Sequence, residues 1–382
     1  MRERVEAVGE ATSLADRKRR AGQRLLVGFA GTSVTDDLKA LVKTIQPAGF
    51  VLFARNVEEP AQVRELNREL ASLVDPRHPA FLAVDQEGGR VQRVRAPATV
   101  WPAMRAVGQA AETAQGPDLA LTAEVSRAMA KELRALGFNL NFAPVADIDS
   151  NPANPIIGDR SFGRVPEEVA RHVVAFATAH QEHGVIACAK HFPGHGDTSV
   201  DSHLALPKVE LEIPDIEHRE LIPFRAAVQA GVATVMTAHI LFPAYDEEVP
   251  ATLSPRIIRG VLREQLGFGG VVFSDDLEMK AVHGRWPIAE AARRMTQATV
   301  DILLCCEDPG LQIEAYEALV RQQEEDLTLE KASIAAVQRV EALRERFFLK
   351  PPRQPGLEVL ASDDHQALAR RITANSDAGA RA

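Results

Sequence analysis

Aromatic residues and cysteines are scarce in this sequence. Its 382 residues include 2 tryptophans, 2 tyrosines and 3 cysteines. The cysteines lack the even-numbered, spaced pattern of a disulfide framework. Because Cys188, Cys305 and Cys306 each lie in an apolar run, we expect all three to pack in the core. The shortage of tryptophan and tyrosine also disfavours a binding cleft built on aromatic platforms.

Long apolar runs and an excess of positive charge are also missing. No run approaches the roughly 18 apolar residues that a membrane span requires. The charged amino terminus, MRERVEAVGEATSLADRKRRAG, lacks the apolar region of a secretory signal, so we expect a cytoplasmic protein. The 44 basic and 53 acidic side chains give a formal charge of −9, which disfavours a nucleic-acid partner because such proteins neutralise phosphates with lysine and arginine.

Short β-rich runs alternate with amphipathic stretches from about residue 22, which is typical of a parallel sheet with crossover helices. The eight predicted strands are RLLVGFAG (24–31), GFVLF (49–53), AFLAVDQ (80–86), FNLNFAPV (138–145), VIACAKHFP (185–193), VATVMTAHIL (232–241), GGVVFSDD (269–276) and DILLCCED (301–308). This pattern predicts an α/β fold, a single (β/α)8 barrel of the TIM type. A dinucleotide-binding sheet is a weaker alternative, because GFAGTS after the first strand does not fit G-x-G-x-x-G and no phosphate loop is present.

Polar residues cluster where these strands end, at the edge of a barrel that carries active sites. They are Asp85 and Glu87, Asp147 and Asp149, Lys190 and His191, His239, Asp275 and Asp276, and Glu307 and Asp308. Residues of this kind also cap helices, but a ring of them favours a functional site.

The segment KHFPGHGDTSVDSH (190–203) suits two kinds of chemistry. A metal hydrolase could use ligands from it, and the candidates are His191, His195, Asp197, Asp201 and His203. The H-x-x-x-H spacing is diagnostic only on a helix, however, and the proline and glycines of this segment would break one.

The second kind of chemistry is general acid/base catalysis. Asp201 is two residues from His203 and could orient its imidazole as a proton donor and acceptor near neutral pH.

The segment GGVVFSDDLEM (269–279) supplies a candidate nucleophile. Adjacent residues on a strand point to opposite faces, so we expect only one of Asp275 and Asp276 to face the barrel mouth. The other would cap the following helix or support a neighbour, and the spacing does not distinguish the two.

Taken together, these segments resemble glycoside hydrolase family 3, in its β-N-acetylhexosaminidase branch. The matching stretches over roughly residues 22–310 are VGFAG, GFVLFARN, VDQEGGRVQR, NFAPVADI, GDRSFG, KHFPGHGDTSVDSH, PATLS and FSDDLEM. The resemblance implies a retaining exo-glycosidase that removes terminal β-linked N-acetylglucosamine, with muropeptide fragments of peptidoglycan recycling as substrates.

The resemblance also implies roles for individual residues. Asp275 would be the nucleophile, with Asp276 in support, and His203 would be the acid/base, oriented by Asp201. This pair replaces the second carboxylate that retaining enzymes usually have. The residues implied to bind sugar hydroxyls are Asp85, Arg93, Arg160, Lys190 and His191. Internal ion pairing of Asp85 with Arg160, or a solvated Arg93, is the structural alternative.

The expected organisation is an N-terminal extension (1–21), a catalytic barrel (22–350), and a C-terminal linker, short helix and tail (351–382). The second α/β domain of larger family members is not expected, because only 26 residues follow PPRQPG (351–356). We expect a monomer that acts on a small saccharide without cofactor or metal. The alternative functions are a family 3 β-glucosidase or phosphorylase, a metal-dependent hydrolase, and a non-catalytic sugar-binding module.

Overall fold

Eight parallel strands close into a barrel in the computed structural model, which describes residues 12–113, 116–198 and 206–379. They are β1 (Leu25–Val27), β2 (Gly49–Leu52), β3 (Phe81–Val84), β6 (Leu140–Asn141), β7 (Ile186–Phe192), β8 (Thr234–Thr237), β9 (Val271–Asp276) and β10 (Ile302–Cys305). Each pairs with the next barrel strand along the chain, and β10 pairs with β1. Every predicted strand contains a barrel strand, so the predicted (β/α)8 barrel is confirmed. A small antiparallel hairpin, β4 (Gln86–Gly88) and β5 (Val91–Gln92), follows β3.

Helices surround the barrel. They are α1 (Leu14–Gly22), α2 (Asp36–Ile45), α3 (Pro60–Ser72), α4 (Met104–Ala111), α5 (Leu119–Ala135), α6 (Pro166–Glu182), α7 (Ile213–Asp215), α8 (Leu221–Gln229), α9 (Lys280–His283), α10 (Ile288–Ala298), α11 (Pro309–Glu325), α12 (Leu327–Phe348) and α13 (Asp363–Gly379). Two π-helical stretches cover Ile216–Glu220 and Arg256–Gln265. Four 3-10 turns cover Ala54–Asn56, Gly158–Arg160, Ala251–Leu253 and Leu357–Val359. No helix of the described ranges is long and apolar enough to cross a membrane.

The sequence explains where these helices begin and end. α6 has Pro166 in its first turn, followed by two glutamates, which are stabilised by the positive end of the helix dipole. The chain leaves it at Gly184, whose φ of +77° suits glycine. Asp326 caps α12 by accepting a hydrogen bond from the Thr328 N–H at 2.8 Å.

The pleat of the strands divides the apolar core into two layers. In β7, Ile186 and Cys188 belong to the cluster inside the barrel, whereas Ala187 and Ala189 belong to the cluster between sheet and helices. α12 contributes Val340, Leu343 and Phe347 to the inner cluster. All three cysteines are free and buried, as expected.

The segments before and after the barrel pack against it. On α1, Arg20 donates to Glu330 of α12 at 2.9 Å. The predicted C-terminal helix is α13, which packs on α4, and its His365 Nδ1 lies 2.8 Å from Glu132 Oε1 of α5. The division into an extension, a barrel and a tail stays a prediction.

Candidate active site

The strand register accounts for the position of three of the predicted site residues. The inward-facing positions of β3, β7 and β9 continue, beyond the apolar core, to Asp85, Lys190 and Asp275. All three side chains line one cavity of about 200 Å³, below the roughly 300–1,000 Å³ of drug-sized sites. The cavity is lined by Val51, Phe53, Asp85, Glu87, Val91, Arg93, Phe142, Ile156, Arg160, Lys190, His191, His195, Met236, Asp275, Asp276, Met279, Leu304 and Cys306.

Asp85 joins two of the predicted binding residues. Its carboxylate accepts from Lys190 Nζ at 2.8 Å through Oδ1 and from Arg93 Nη2 at 3.2 Å through Oδ2. Burial alone would raise the pKa of Asp85, but the two cations outweigh it and keep the pKa below its usual value. The Lys190 ammonium is 3% exposed, and despite its burial Asp85 and Glu87 hold its pKa above the usual value. Both groups are therefore charged at neutral pH.

Glu87 connects this group to Arg160. Its two carboxylate oxygens accept from Arg160 Nε and Nη2, both at 2.8 Å, and Oε1 also lies 2.6 Å from Lys190 Nζ. Burial opposes ionisation of Glu87, yet Arg160 and Lys190 hold its pKa well below the usual range, and Glu87 raises the pKa of Arg160 in return. A bidentate pair fixes the guanidinium plane, so Arg160 is held rigidly at the cavity wall.

His191 is oriented by a buried carboxylate. Its Nδ1–H donates to Asp147 at 2.7 Å, which turns Nε2 towards Arg160 Nη2, 3.4 Å away. Asp147 also accepts from the backbone N–H groups of His191 and His195, the latter at 2.7 Å. Burial alone would raise the pKa of Asp147. His191 and these hydrogen bonds outweigh burial and hold the pKa below its usual value, so the carboxylate remains ionised.

The hairpin that carries Arg93 is clamped by amide side chains. Gln86 Oε1 accepts from the backbone N–H groups of Arg93 and Val94, both at 3.0 Å. The backbone of Gln86 is in turn held by Asn141, which exchanges two 3.0 Å hydrogen bonds with its N–H and C=O. These contacts fix the direction in which Arg93 leaves the sheet.

Both aspartates of FSDD line the cavity, so the expectation that only one would face it is wrong. The reason is a β-bulge: Phe273 pairs with Ile302, but Asp276 pairs with Leu304, so three steps on β9 match two on β10. The simple alternation therefore ends at this point. Burial raises the pKa of Asp276 to about 7, although its carboxyl accepts a hydrogen bond from the Glu278 N–H at 3.2 Å. Asp275 therefore has a neighbour that carries little charge at slightly acid pH.

The candidate metal ligands are engaged elsewhere in the part of the chain that is described. His195 Nδ1 contacts Thr198 Oγ1 at 2.9 Å, and Asp197 pairs with Arg219 at 3.1 Å. Among the described residues, no group of three or more histidine, cysteine, aspartate or glutamate side chains is arranged to hold a metal ion. The predicted acid/base pair, Asp201 and His203, lies outside the described residues.

The residues predicted to bind sugar all line the cavity, but the sequence did not predict the carboxylates that pair with them. Glu87 and Asp147 were visible only as polar residues at strand ends, and nothing in their spacing predicts the ion pairs they form. Met279 and Cys306 also line the cavity, whereas Trp101 is 1% exposed and packs in the core. The position of Cys306 could have been predicted from strand alternation, because Cys306 continues the inward-facing row of Ile302 and Leu304.

Known proteins share this architecture. Residues 18–343 match the glycosyl hydrolase family 3 N terminal domain. A β-hexosaminidase from Nitrosomonas eutropha is 39% identical over 287 residues, which are 75% of this chain and 81% of that protein. A family 3 β-N-acetylglucosaminidase from a Paenibacillus species has a TM-score of 0.88 at 38% identity, over 96% of this chain and 69% of that one. NagZ from Neisseria gonorrhoeae has a TM-score of 0.76 at 32% identity, over 92% and 97%. The chain therefore belongs to glycosyl hydrolase family 3 and is a glycoside hydrolase.

Proposed function

We propose that this glycoside hydrolase is a retaining exo-β-N-acetylglucosaminidase. The observation that carries the proposal is the small cavity in which Asp275 shares the walls with the charged cluster of Asp85, Lys190 and Arg160. A site of this size fits one terminal sugar rather than a polysaccharide chain. The names of the Nitrosomonas and Paenibacillus relatives support the N-acetylglucosaminide specificity.

The polar residues of the cavity have the chemistry to bind sugar hydroxyls. Asp85 supplies acceptors, and Arg93, Arg160 and Lys190 supply ionised donors, whose hydrogen bonds are short and directional. His191, fixed by Asp147, offers Nε2. Hydrogen bonds that tighten as the sugar approaches an oxocarbenium ion lower the barrier, because they are stronger in the transition state than in the bound substrate. These residues also pair with one another, which pre-organises them before the sugar binds.

In the proposed reaction, a carboxylate oxygen of Asp275 attacks the anomeric carbon while the glycosidic C–O bond breaks. His203, as imidazolium, gives its proton to the leaving oxygen, and Asp201 stabilises the charge. The resulting glycosyl ester is then attacked by water, whose proton returns to His203, and the Asp275 carboxylate is released. The assignment of His203 and Asp201 rests on their spacing and on the family resemblance.

The His203→Ala variant tests the acid role. Without a proton donor, cleavage of a β-linked disaccharide of N-acetylglucosamine should slow by about 100-fold, because its leaving alkoxide is strongly basic. Release of 2,4-dinitrophenol in the glycosylation step should change much less, since this leaving group needs no proton. Pre-steady-state burst kinetics separates the two steps. Equal losses in glycosylation of both substrates would remove His203 from the acid role.

Muropeptide fragments in the cytoplasm, produced during peptidoglycan recycling, are the proposed natural substrates, on the strength of the family resemblance. Specificity is tested by comparing aryl β-N-acetylglucosaminide with aryl β-glucoside, each with and without inorganic phosphate. We expect preference for the N-acetylated sugar and free N-acetylglucosamine as product. Faster turnover of the glucoside, or a sugar phosphate as the main product, would favour the alternative family 3 activities.

A further inference from the structure

Residues 193–198, the described part of the KHFPGHGDTSVDSH segment (190–203) that follows β7, are here called the stem. Two polar side chains hold it from the barrel side. Asp147 accepts from the His195 N–H, and Asn154 Nδ2 donates to the carbonyl oxygens of His195 and Gly196 at 2.8 and 2.9 Å. The stem is thus anchored to the same carboxylate that orients His191.

Another side of the stem is covered by Glu220, which does not line the cavity. Glu220 ends the π-helical turn Ile216–Glu220, and its side chain is 1% exposed. A Cβ placed on Gly194 would lie 2.7 Å from Glu220 Oε2, so the carboxyl packs directly against the stem backbone. Any side chain at Gly194 would displace it, and the φ of +141° there also requires glycine.

Arg219 extends this contact along the stem. Its Nε donates to Glu220 Oε1 at 2.7 Å, and its Nη2 lies 3.1 Å from Asp197 Oδ2. Two adjacent residues of one helical turn therefore contact the stem: Glu220 packs against Gly194, and Arg219 pairs with Asp197. From Asp197 the chain continues to Asp201 and His203.

The burial of Glu220 is unusual for a purely structural residue. Its Oε2 is buried and has no hydrogen-bond partner among the described residues, while Oε1 is also approached by Ser150 Oγ at 3.4 Å. An unpaired buried carboxyl oxygen destabilises the fold, and an apolar side chain of similar shape would avoid that cost. A helical turn of the π type frequently marks a functional site.

We propose that Glu220, together with Arg219, is a positioning residue for the acid/base step: it fixes the stem from which the chain runs to Asp201 and His203. The proposal rests on the proposed function, in which His203 transfers the proton. Glu220 does not line the cavity, so its effect should be confined to the step that needs a correctly placed proton donor.

The charges around Glu220 should make its contact with the stem depend on pH, which a purely apolar packing contact would not do. Burial raises the pKa of Glu220 to about 7; Arg219 opposes this rise, and Asp147 and Asp197 add to it. Because the buried pKa lies above the exposed value of 4.5, a rise in pH from about 4.5 to about 7 progressively favours states in which Glu220 is exposed and ionised. The contact with the stem should therefore weaken over this range and change little at higher pH, and Glu220→Gln should remove this dependence.

The test compares two substrates in three variants. With Glu220→Ala, turnover of a β-linked disaccharide of N-acetylglucosamine should fall at least about tenfold, whereas the glycosylation burst with the 2,4-dinitrophenyl glycoside should fall less than about threefold. Glu220→Gln, which keeps the shape and the acceptor, should restore the disaccharide rate to within about threefold of wild type at pH 6. The matched control is Glu212→Ala, at an exposed glutamate that starts the same helical region and makes no side-chain cap.

The pH arm uses the ratio of the disaccharide rate to the dinitrophenyl burst rate. Between pH 6 and pH 8 this ratio should fall more steeply in wild type than in Glu220→Gln, since all other titratable groups are common to the two proteins. If Glu220→Ala does not fold, Arg219→Met replaces it, because that change removes the link to Asp197 and should give the same substrate-selective loss.

Equal losses on both substrates, full activity of Glu220→Ala, or identical pH dependence in wild type and Glu220→Gln would each overturn the positioning role. Failure of the proposed function is recognised separately, because wild-type protein would then cleave neither N-acetylglucosaminide.

Discussion

Asp275→Ala is expected to reduce turnover of 4-nitrophenyl β-N-acetylglucosaminide by about 10⁴-fold. In the proposed reaction, the variant loses the oxygen that would form the glycosyl ester, and with it the carboxylate that would face the developing oxocarbenium ion. Asp275 continues the inward-facing row of Val271 and Phe273, whereas Asp276 reaches the cavity through the bulge and accepts from the Glu278 N–H. We therefore expect Asp276 not to replace Asp275. Nitrophenol release at saturating substrate is the measurement.

The adjacent carboxyl provides the matched control. Asp276→Asn keeps the oxygen that accepts from the Glu278 N–H at 3.2 Å, and it replaces a group whose pKa is already about 7. Its activity should stay within about tenfold of wild type at pH 6. Trapping with a 2-acetamido-5-fluoro glycosyl donor should label the peptide at Asp275. Label on Asp276, or a larger loss in Asp276→Asn than in Asp275→Ala, would reverse the assignment.

Glu87→Ala is expected to lower the free energy of unfolding by about 3–5 kcal/mol at pH 7. The change leaves Arg160 and Lys190, which are 10% and 3% exposed, without a carboxylate that both of them contact. The lowered pKa of Glu87 means that its contribution is complete above the unfolded-state value of 4.5 and is lost as the pH falls through the folded-state pKa. The kcat/KM should fall as well, because the two cations lose their fixed positions. Urea denaturation at pH 7 measures the first effect.

A control at an exposed carboxylate near the same loops shows how much of the expected destabilisation comes from the burial of Glu87 rather than from the loss of a negative charge. Asp159 pairs with Arg90 at 3.2 Å, and its side chain is 52% exposed. Asp159→Ala should therefore change the free energy of unfolding by less than about 1 kcal/mol. If Glu87→Ala were as mild as this control, the cluster would not be the rigid, pre-organised wall inferred above.

The fold and much of the cavity wall could be predicted from the sequence because both follow from strand periodicity. A parallel barrel buries both faces of every strand, so its strands are near-continuous apolar runs, and the first polar residues after them must lie at the rim. Asp85, Lys190 and Asp275 are such residues, and each continues an inward-facing row. For these three residues, the alternation of side chains along a strand was sufficient to predict their position.

The contacts between loops could not be predicted in this way. Glu87 meets Arg160 and Lys190 only because the barrel brings distant loops together, and no pattern along the chain encodes their separation. The bulge in β9 brings Asp276 into the cavity through a local change of register, which the alternation rule cannot represent. Glu220 carries no motif at all; its position became evident only from its packing against Gly194.

The floor of the cavity limits how this enzyme can acquire a new specificity. Phe142, Met236 and Leu304 line the cavity and are also the uppermost layer of the packed barrel interior, at 1%, 3% and 3% exposure. Shortening one of them to accept a bulkier sugar would remove core packing and cost about 2–5 kcal/mol. Evolution or engineering towards larger substituents is therefore easier on the loop side, at Ile156 and Met279, which line the cavity but do not belong to the cluster inside the barrel.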